Sequence, residues 1–147
     1  MLLILHLLGA TVWVGGMFFA FMALRPVAAE LLAPPERLQL WNGVFSRFFP
    51  WVWVAIALLF SSGLMLIRAS GGFGAMPWSV HAMFATAIAM TVIFLVIHFL
   101  LFARLKRAVV GKEWKQGGEA LAAIRRLIAV NLSLGLIEIA LGGLSRS

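Results

Sequence analysis

The sequence contains four long stretches that are almost free of charged side chains. Residues 2–24, 48–67 and 69–103 carry no Asp, Glu, Lys or Arg, and residues 127–144 carry only Glu138. A helix across a hydrocarbon core about 30 Å thick needs about 20 such residues, so each stretch is long enough for one crossing. Apolar residues make up 63% of the chain and charged residues 12%, unlike the balance in a soluble domain. The sequence therefore predicts an all-α integral membrane protein.

The predicted spans cover about residues 2–23, 48–67, 78–103 and 124–144. Basic side chains concentrate in and beside the two loops at 24–47 and 104–123, which hold ten of the twelve Lys and Arg residues. Because basic loops favour the cytoplasmic side, both termini are expected on the opposite, outer side. The short loops predict one domain over residues 1–147, an up-and-down four-helix bundle.

The charge distribution also limits the function. The net charge of +7 is explained by the membrane topology, so the bilayer, and not nucleic acid, is the expected partner. The chain has no cysteine, which excludes disulfides, thiolate zinc sites and iron–sulfur clusters. No serine nucleophile motif, phosphate loop or carboxylate pair points to a hydrolase or a nucleotide-dependent enzyme.

Three further expectations concern the first half of the chain. The first span is predicted to be retained, because no Lys or Arg precedes it and it exceeds a signal-peptide core of about 7–15 residues. It is expected to end before Arg25-Pro26, because proline disfavours helix at the residue before it. Pro35 is predicted to begin a helix that lies on the membrane surface through Leu38, Leu40, Trp41 and Phe45.

Polar and sulfur-bearing side chains occur at one depth in all four spans. With about 1.5 Å of rise per residue, His6 lies roughly 8 Å, His81 roughly 6 Å and Glu138 roughly 9 Å below the outer ends of their helices. Met65 and Met83 lie in the same layer. Ionisable residues are costly within a bilayer and mark functional sites, and imidazole and thioether ligands suit copper. The layer is therefore a candidate metal site, whereas His98, about 25 Å below His81, belongs to the inner interface.

The stretches "LHLLGATVWVGGMFFAFMALRP", "RFFPWVWVAIALLFSSGLML", "HAMFATAIAM" and "AAIRRLIAVNLSLGLIEIALGG" resemble the CopD family of bacterial copper-resistance membrane proteins. This resemblance implies a role in copper uptake or tolerance in the bacterial inner membrane, with both termini in the periplasm. It also assigns the family's membrane histidine positions to His6 and His81. A more distant resemblance is to the membrane-bound, oxygen-independent protoporphyrinogen oxidases, although "WSVHAMF" has His where that family's pattern leads us to expect Lys.

Three functions remain open at this stage. In the first, His6 and His81 bind a copper ion, supported by Met65, Met83 or Glu138, and a periplasmic donor protein delivers the ion. In the second, the two histidines are axial ligands of haem b and Arg68 pairs with a propionate. The haem protein then transfers electrons to a redox partner or is a haem-dependent, protoporphyrinogen-oxidase-like oxidoreductase. In the third, a cofactor-free subunit assembles with itself or with other membrane proteins.

Overall fold

Four long helices and short connections make up residues 1–144, the part of the chain that the computed structural model describes. The helices are α1 (Leu2–Leu31), α2 (Pro34–Ala69), α3 (Trp78–Val110) and α4 (Trp114–Leu144). Each is long and apolar enough to cross a membrane. The prediction of an all-α fold with four membrane-compatible helices is confirmed. The side of the membrane on which the termini lie stays a prediction.

The connections follow from residues that end helices. After α2 the backbone turns through Gly71 and Gly72, whose φ angles of 98° and 86° are strained for residues with a side chain. A 3-10 turn at Phe73–Ala75 follows, and Pro77 precedes α3. Lys112, with φ 53°, lies in the turn before α4. The α2–α3 connection lies at one end of the bundle, called the α2–α3 end below, and the other two connections lie at the basic end.

The expected end of the first span at Arg25-Pro26 is wrong for the helix, since α1 continues to Leu31. Two segments of α1, Thr11–Gly15 and Ala20–Leu24, are π-helical. The second of them directly precedes Arg25-Pro26. Proline has no N–H donor and crowds the carbonyl one turn earlier, and the wider turn of a π-helix relieves that crowding. The helix therefore passes through the proline.

The segment 24–47, predicted as a loop with a surface helix, is helical except at residues 32–33. Leu38, Trp41 and Phe45 are buried inside the bundle and do not lie on the membrane surface. The stacking of Trp41, Phe45 and Phe49, with ring centroids 5.2 and 5.1 Å apart, extends their stripe into the membrane-spanning part of α2. An apolar stripe of this spacing is buried against other helices. Residues 104–123, which were also predicted as a loop, are likewise helical apart from residues 111–113.

Aromatic rings fill the half of the core nearer the basic end. The ring of Phe49 on α2 packs against Phe94 and Phe102 on α3, at 5.3 and 5.1 Å, and Trp13 on α1 meets Phe94 at 6.3 Å. At the α2–α3 end, by contrast, the first turns of α1 pack mainly on α2, and α3 packs mainly on α4. Gly9 marks the first of these contacts, because a Cβ there would lie 3.1 Å from the carbonyl oxygen of Ala55. Two helix pairs, α1 with α2 and α3 with α4, therefore form the end that carries the predicted site, and the rings of Phe60 on α2 and Phe84 on α3 join them with centroids 5.9 Å apart.

Candidate metal site

His6 is held against α2 by a hydrogen bond. Its Nδ1 lies 3.0 Å from Oγ of Ser62, a buried residue, and its ring packs against Gly63, where a Cβ would lie 3.4 Å from the imidazole Cε1. Because Gly63 has no side chain, the imidazole ring fits against α2 at this position. The imidazole is thus half-buried between α1 and α2 with a fixed orientation.

The hydroxyl of Ser62 determines which ring nitrogen of His6 carries the proton. A serine hydroxyl has one proton to donate. That of Ser62 donates to the carbonyl oxygen of Leu58, so its oxygen is an acceptor for His6. Nδ1 of the neutral imidazole is then the donor, and Nε2 keeps a free lone pair. A histidine that donates one ring N–H and offers the other nitrogen has the arrangement of a metal ligand.

Glu138 and Met83 lie in the other helix pair, on α4 and α3. Oε1 of Glu138 is buried and has no hydrogen-bond partner within residues 1–144. One turn further along α4, a Cβ on Gly142 would lie 3.5 Å from Cε of Met83. The carboxylate and the thioether therefore share the α3–α4 interface. A buried carboxylate oxygen without a partner is costly, so this position favours a bound cation or proton.

His81 has a different environment from His6. It is exposed, and its ring stacks on Phe73 of the α2–α3 connection, with centroids 6.0 Å apart and planes at 15°. Two residues correspond to about 200° of rotation along a helix, so His81 and Met83 project from nearly opposite sides of α3. A single compact site therefore cannot use both side chains from a regular helix.

Met65 and Arg68 complete the set of predicted residues, and both lie on the outer surface near the end of α2. The Met65 side chain is 54% exposed, and Arg68 is exposed as well. Within residues 1–144, no three His, Cys, Asp or Glu side chains lie close enough together to hold a metal ion. The α2–α3 end thus offers two half-buried positions, at His6 and at Glu138 with Met83, and two exposed ones, at His81 and Met65.

Ser62 is absent from the predicted site residues. The signal was present, since Ser61-Ser62-Gly63 interrupts the apolar second span about 9 Å before Arg68, at the depth of His6. Matching polar residues by depth would have paired it with the histidine.

His98 is packed more closely by other side chains than a histidine at the membrane interface needs to be. It lies in a π-helical part of α3, Ile97–Phe102, and its Nδ1 is buried without a hydrogen-bond partner in the described part of the chain. Five aromatic rings surround it at centroid distances of 4.8 to 6.2 Å, namely Phe49, Trp53, Phe94, Phe99 and Phe102. The cluster lies in the aromatic half of the core, away from His6.

Comparison with known proteins adds a family to this geometry. The family model of copper resistance protein D, CopD, matches residues 42–144, which is more than half of the chain. The chain belongs to the CopD family. No curated protein and no solved structure matches it. The confirmed family and the four apolar helices make this a multi-pass membrane protein of the copper-resistance class.

The CopD match covers four of the five predicted ligands. Met65, His81, Met83 and Glu138 lie within the matched residues, whereas His6 and the rest of α1 lie before them. The part of α2 that holds Ser62, the partner of His6, belongs to the CopD region. The prediction that His6 is a ligand therefore comes from the sequence and from its contact with Ser62, and not from the family match.

Proposed function

We propose that this protein handles copper ions at the α2–α3 end of its bundle, with His6 as the central ligand. The observation that carries the proposal is the hydrogen bond between His6 Nδ1 and Ser62, which orients the ring. With Nδ1 as the donor, Nε2 of the neutral imidazole carries the lone pair that a metal ion needs. Membership of the copper-resistance family supports copper as the cargo. Neutral imidazole and thioether groups suit Cu(I), and imidazole also suits Cu(II).

The remaining predicted ligands suit different stages of copper handling. His81 and Met65 are exposed and can receive an ion from outside the bundle, for instance from a periplasmic donor protein. Met83 and Glu138 are half-buried in the α3–α4 pair and can accept the ion from His6 when the helix pairs approach each other. The site therefore supports capture and delivery at the periplasmic leaflet of the inner membrane.

The experiment that tests this proposal is a Cu(I) titration of the detergent-purified protein against a chromophoric competitor. Removal of the His6 imidazole in His6→Ala should weaken binding at least tenfold, an effect expected from loss of one metal ligand. Loss of His81 should slow copper uptake from a donor more than it weakens binding at equilibrium. His98→Phe serves as the matched control, because it alters a histidine at the other end of α3, and it should bind copper normally.

A visible spectrum of the same preparation, oxidised and then reduced, separates copper from haem. The copper proposal expects no Soret band. A Soret band that is lost in both His6→Ala and His81→Ala would show that the two histidines bind haem and would overturn the copper proposal. Unchanged copper affinity in His6→Ala would show that the central ligand is wrong.

A further inference from the structure

A second feature lies near the basic end of the bundle, far from His6. A groove of about 240 Å³ runs between α1, α2 and α4 and has an apolar lining. Its walls include Gly16, Ala20 and Leu24 of α1, Val44 and Phe48 of α2, and Ile128 of α4. Phe19, which also lines the groove, is 61% exposed, so the groove reaches the outer surface of the bundle.

The groove leads to a cluster of three arginines from three helices. Arg25 of α1 and Arg125 of α4 line a small pocket that shares Ala20, Phe45 and Ile128 with the groove. Arg37 of α2 lies close enough to Arg125 for the two charges to repel each other, as does Arg25. All three side chains are half-buried. These three residues form the arginine cluster.

Within residues 1–144, none of the three guanidinium groups of the arginine cluster forms an ion pair. The acidic residues nearest to the cluster in sequence, Glu30, Glu36 and Glu119, are exposed. Arg25 instead lies over the ring of Phe21, with its Cζ 4.8 Å from the centroid. Three half-buried cations that repel each other are unfavourable unless an anion joins them.

We infer that the groove and the arginine cluster together bind an anionic phospholipid, with an acyl chain in the groove and the phosphate at the arginines. Guanidinium groups bind phosphate oxygens in a bidentate manner, and basic pockets between membrane helices are suited to lipid headgroups. The apolar groove distinguishes a lipid from free phosphate, which would have no use for it. No histidine lines the groove, so it does not suit a ligated haem.

The test uses the full-length protein, purified in detergent and stripped of lipid. Native mass spectrometry measures binding of phosphatidylglycerol and of phosphatidylcholine with identical acyl chains, and a thermal melt measures the stabilisation that each lipid confers. We expect phosphatidylglycerol to bind about tenfold more tightly, or by about 1.4 kcal/mol, because phosphatidylcholine carries a quaternary ammonium that offsets the charge of its phosphate at the arginines. Equal affinity for the two lipids would overturn the inference.

Substitutions in the cluster give a signature that simple misfolding cannot produce. Arg125→Gln removes one of three repelling charges, so the lipid-free protein should melt at a higher temperature than the parent. The same variant should lose most of its preference for phosphatidylglycerol. Arg126→Gln is the matched control, because the neighbouring side chain is exposed, and it should retain that preference. A lower melting temperature for lipid-free Arg125→Gln, or an equal loss in Arg126→Gln, would contradict the proposal.

Two further measurements test the acyl chain and the nature of the anion. Ala20→Leu places extra carbon atoms in the groove and should weaken both lipids, with the thermal melt of the lipid-free protein as the check on folding. Inorganic phosphate, tested as a competitor, should displace phosphatidylglycerol only at concentrations far above those of the lipid. Displacement at equal concentration, or full lipid affinity in Ala20→Leu, would reduce the site to one for a free anion and overturn the lipid assignment.

Discussion

At the scale of single residues, the hydroxyl of Ser62 has a role that its neighbour Ser61 lacks. Ser62 is buried and accepts a hydrogen bond from His6, whereas Ser61 is exposed and donates to the carbonyl of Ala57 in its own helix. The two residues have the same chemistry and adjacent positions, and only one touches the candidate ligand. They form a matched pair for testing the orientation of His6.

We predict that Ser62→Ala weakens Cu(I) binding by about tenfold to a hundredfold, because partners that orient a ligating histidine typically contribute that much. Ser61→Ala should leave the affinity unchanged. Both affinities are measured by the competitor titration described for His6→Ala. Equal effects of the two substitutions would mean that the hydrogen bond does not orient the ligand, even if His6 itself binds copper.

The half-buried imidazole of His98 leads to a prediction about stability. Its ring makes five aromatic contacts, but its Nδ1 has no hydrogen-bond partner within residues 1–144. His98→Phe keeps a ring in the cluster and removes the unsatisfied nitrogen, so it should stabilise the protein by about 1 kcal/mol. His98→Ala leaves a cavity and should destabilise it by about 2–4 kcal/mol.

Reversible unfolding in detergent and denaturant measures both His98 variants. If His98→Phe were as destabilising as His98→Ala, the imidazole nitrogen would have an essential partner in the folded protein, and the cluster would be more than a packing unit.

At the scale of helices, glycine fixes how closely α4 approaches its neighbours. A Cβ on Gly135 would lie 2.7 Å from Cγ2 of Val14 on α1 and 3.2 Å from Cε of Met90 on α3. Val14 is buried and its branched side chain is stiff, so it cannot move aside easily. Next to this contact, the amide of Asn131 donates to the carbonyl oxygen of Met90 at 3.3 Å. Three helices therefore meet at Gly135.

We predict that Gly135→Ala destabilises the folded protein by about 1–3 kcal/mol, the usual cost of overpacking a core. Gly118→Ala, in the same helix, meets nothing within 4 Å and should stabilise it by about 0.5–1 kcal/mol through helix propensity. Thermal and chemical unfolding in detergent give both values. A stabilising Gly135→Ala would show that α1 and α4 lie further apart than in this structure.

The helices also show what the sequence could and could not predict. Their number follows from the apolar runs, because a bilayer leaves few alternatives for such segments. Their lengths do not, because Leu38, Trp41 and Phe45 form a stripe that suits either a membrane surface or a core, and only the neighbouring helices decide between them. The depth of each predicted ligand stays a prediction from helix rise, whereas the pairing of α1 with α2 and of α3 with α4 near that end depends on packing that the sequence does not show.

At the scale of the whole molecule, the two ends of the bundle differ in their content of basic residues. Ten of the twelve Lys and Arg residues lie at or near the basic end, and the arginine cluster lies there too. The candidate copper site lies at the opposite end. If the basic end faces the cytoplasm, as the positive-inside tendency predicts, copper is handled from the periplasm while anionic lipid is bound in the cytoplasmic leaflet. Both proposals therefore depend on orientation for their biological meaning.

The chain offers a direct way to test this orientation, since it contains no cysteine and any introduced one is unique. Ser70→Cys places a thiol in the α2–α3 connection, and Lys115→Cys places one at the basic end, both at exposed positions. A membrane-impermeant maleimide applied to intact spheroplasts should label the first thiol at once and the second only after the membrane is permeabilised. The reverse pattern would move the candidate copper site to the cytoplasmic side, where the exposed His81 would receive copper from a cytoplasmic donor. The distribution of basic residues would then be the opposite of the one that the positive-inside tendency predicts.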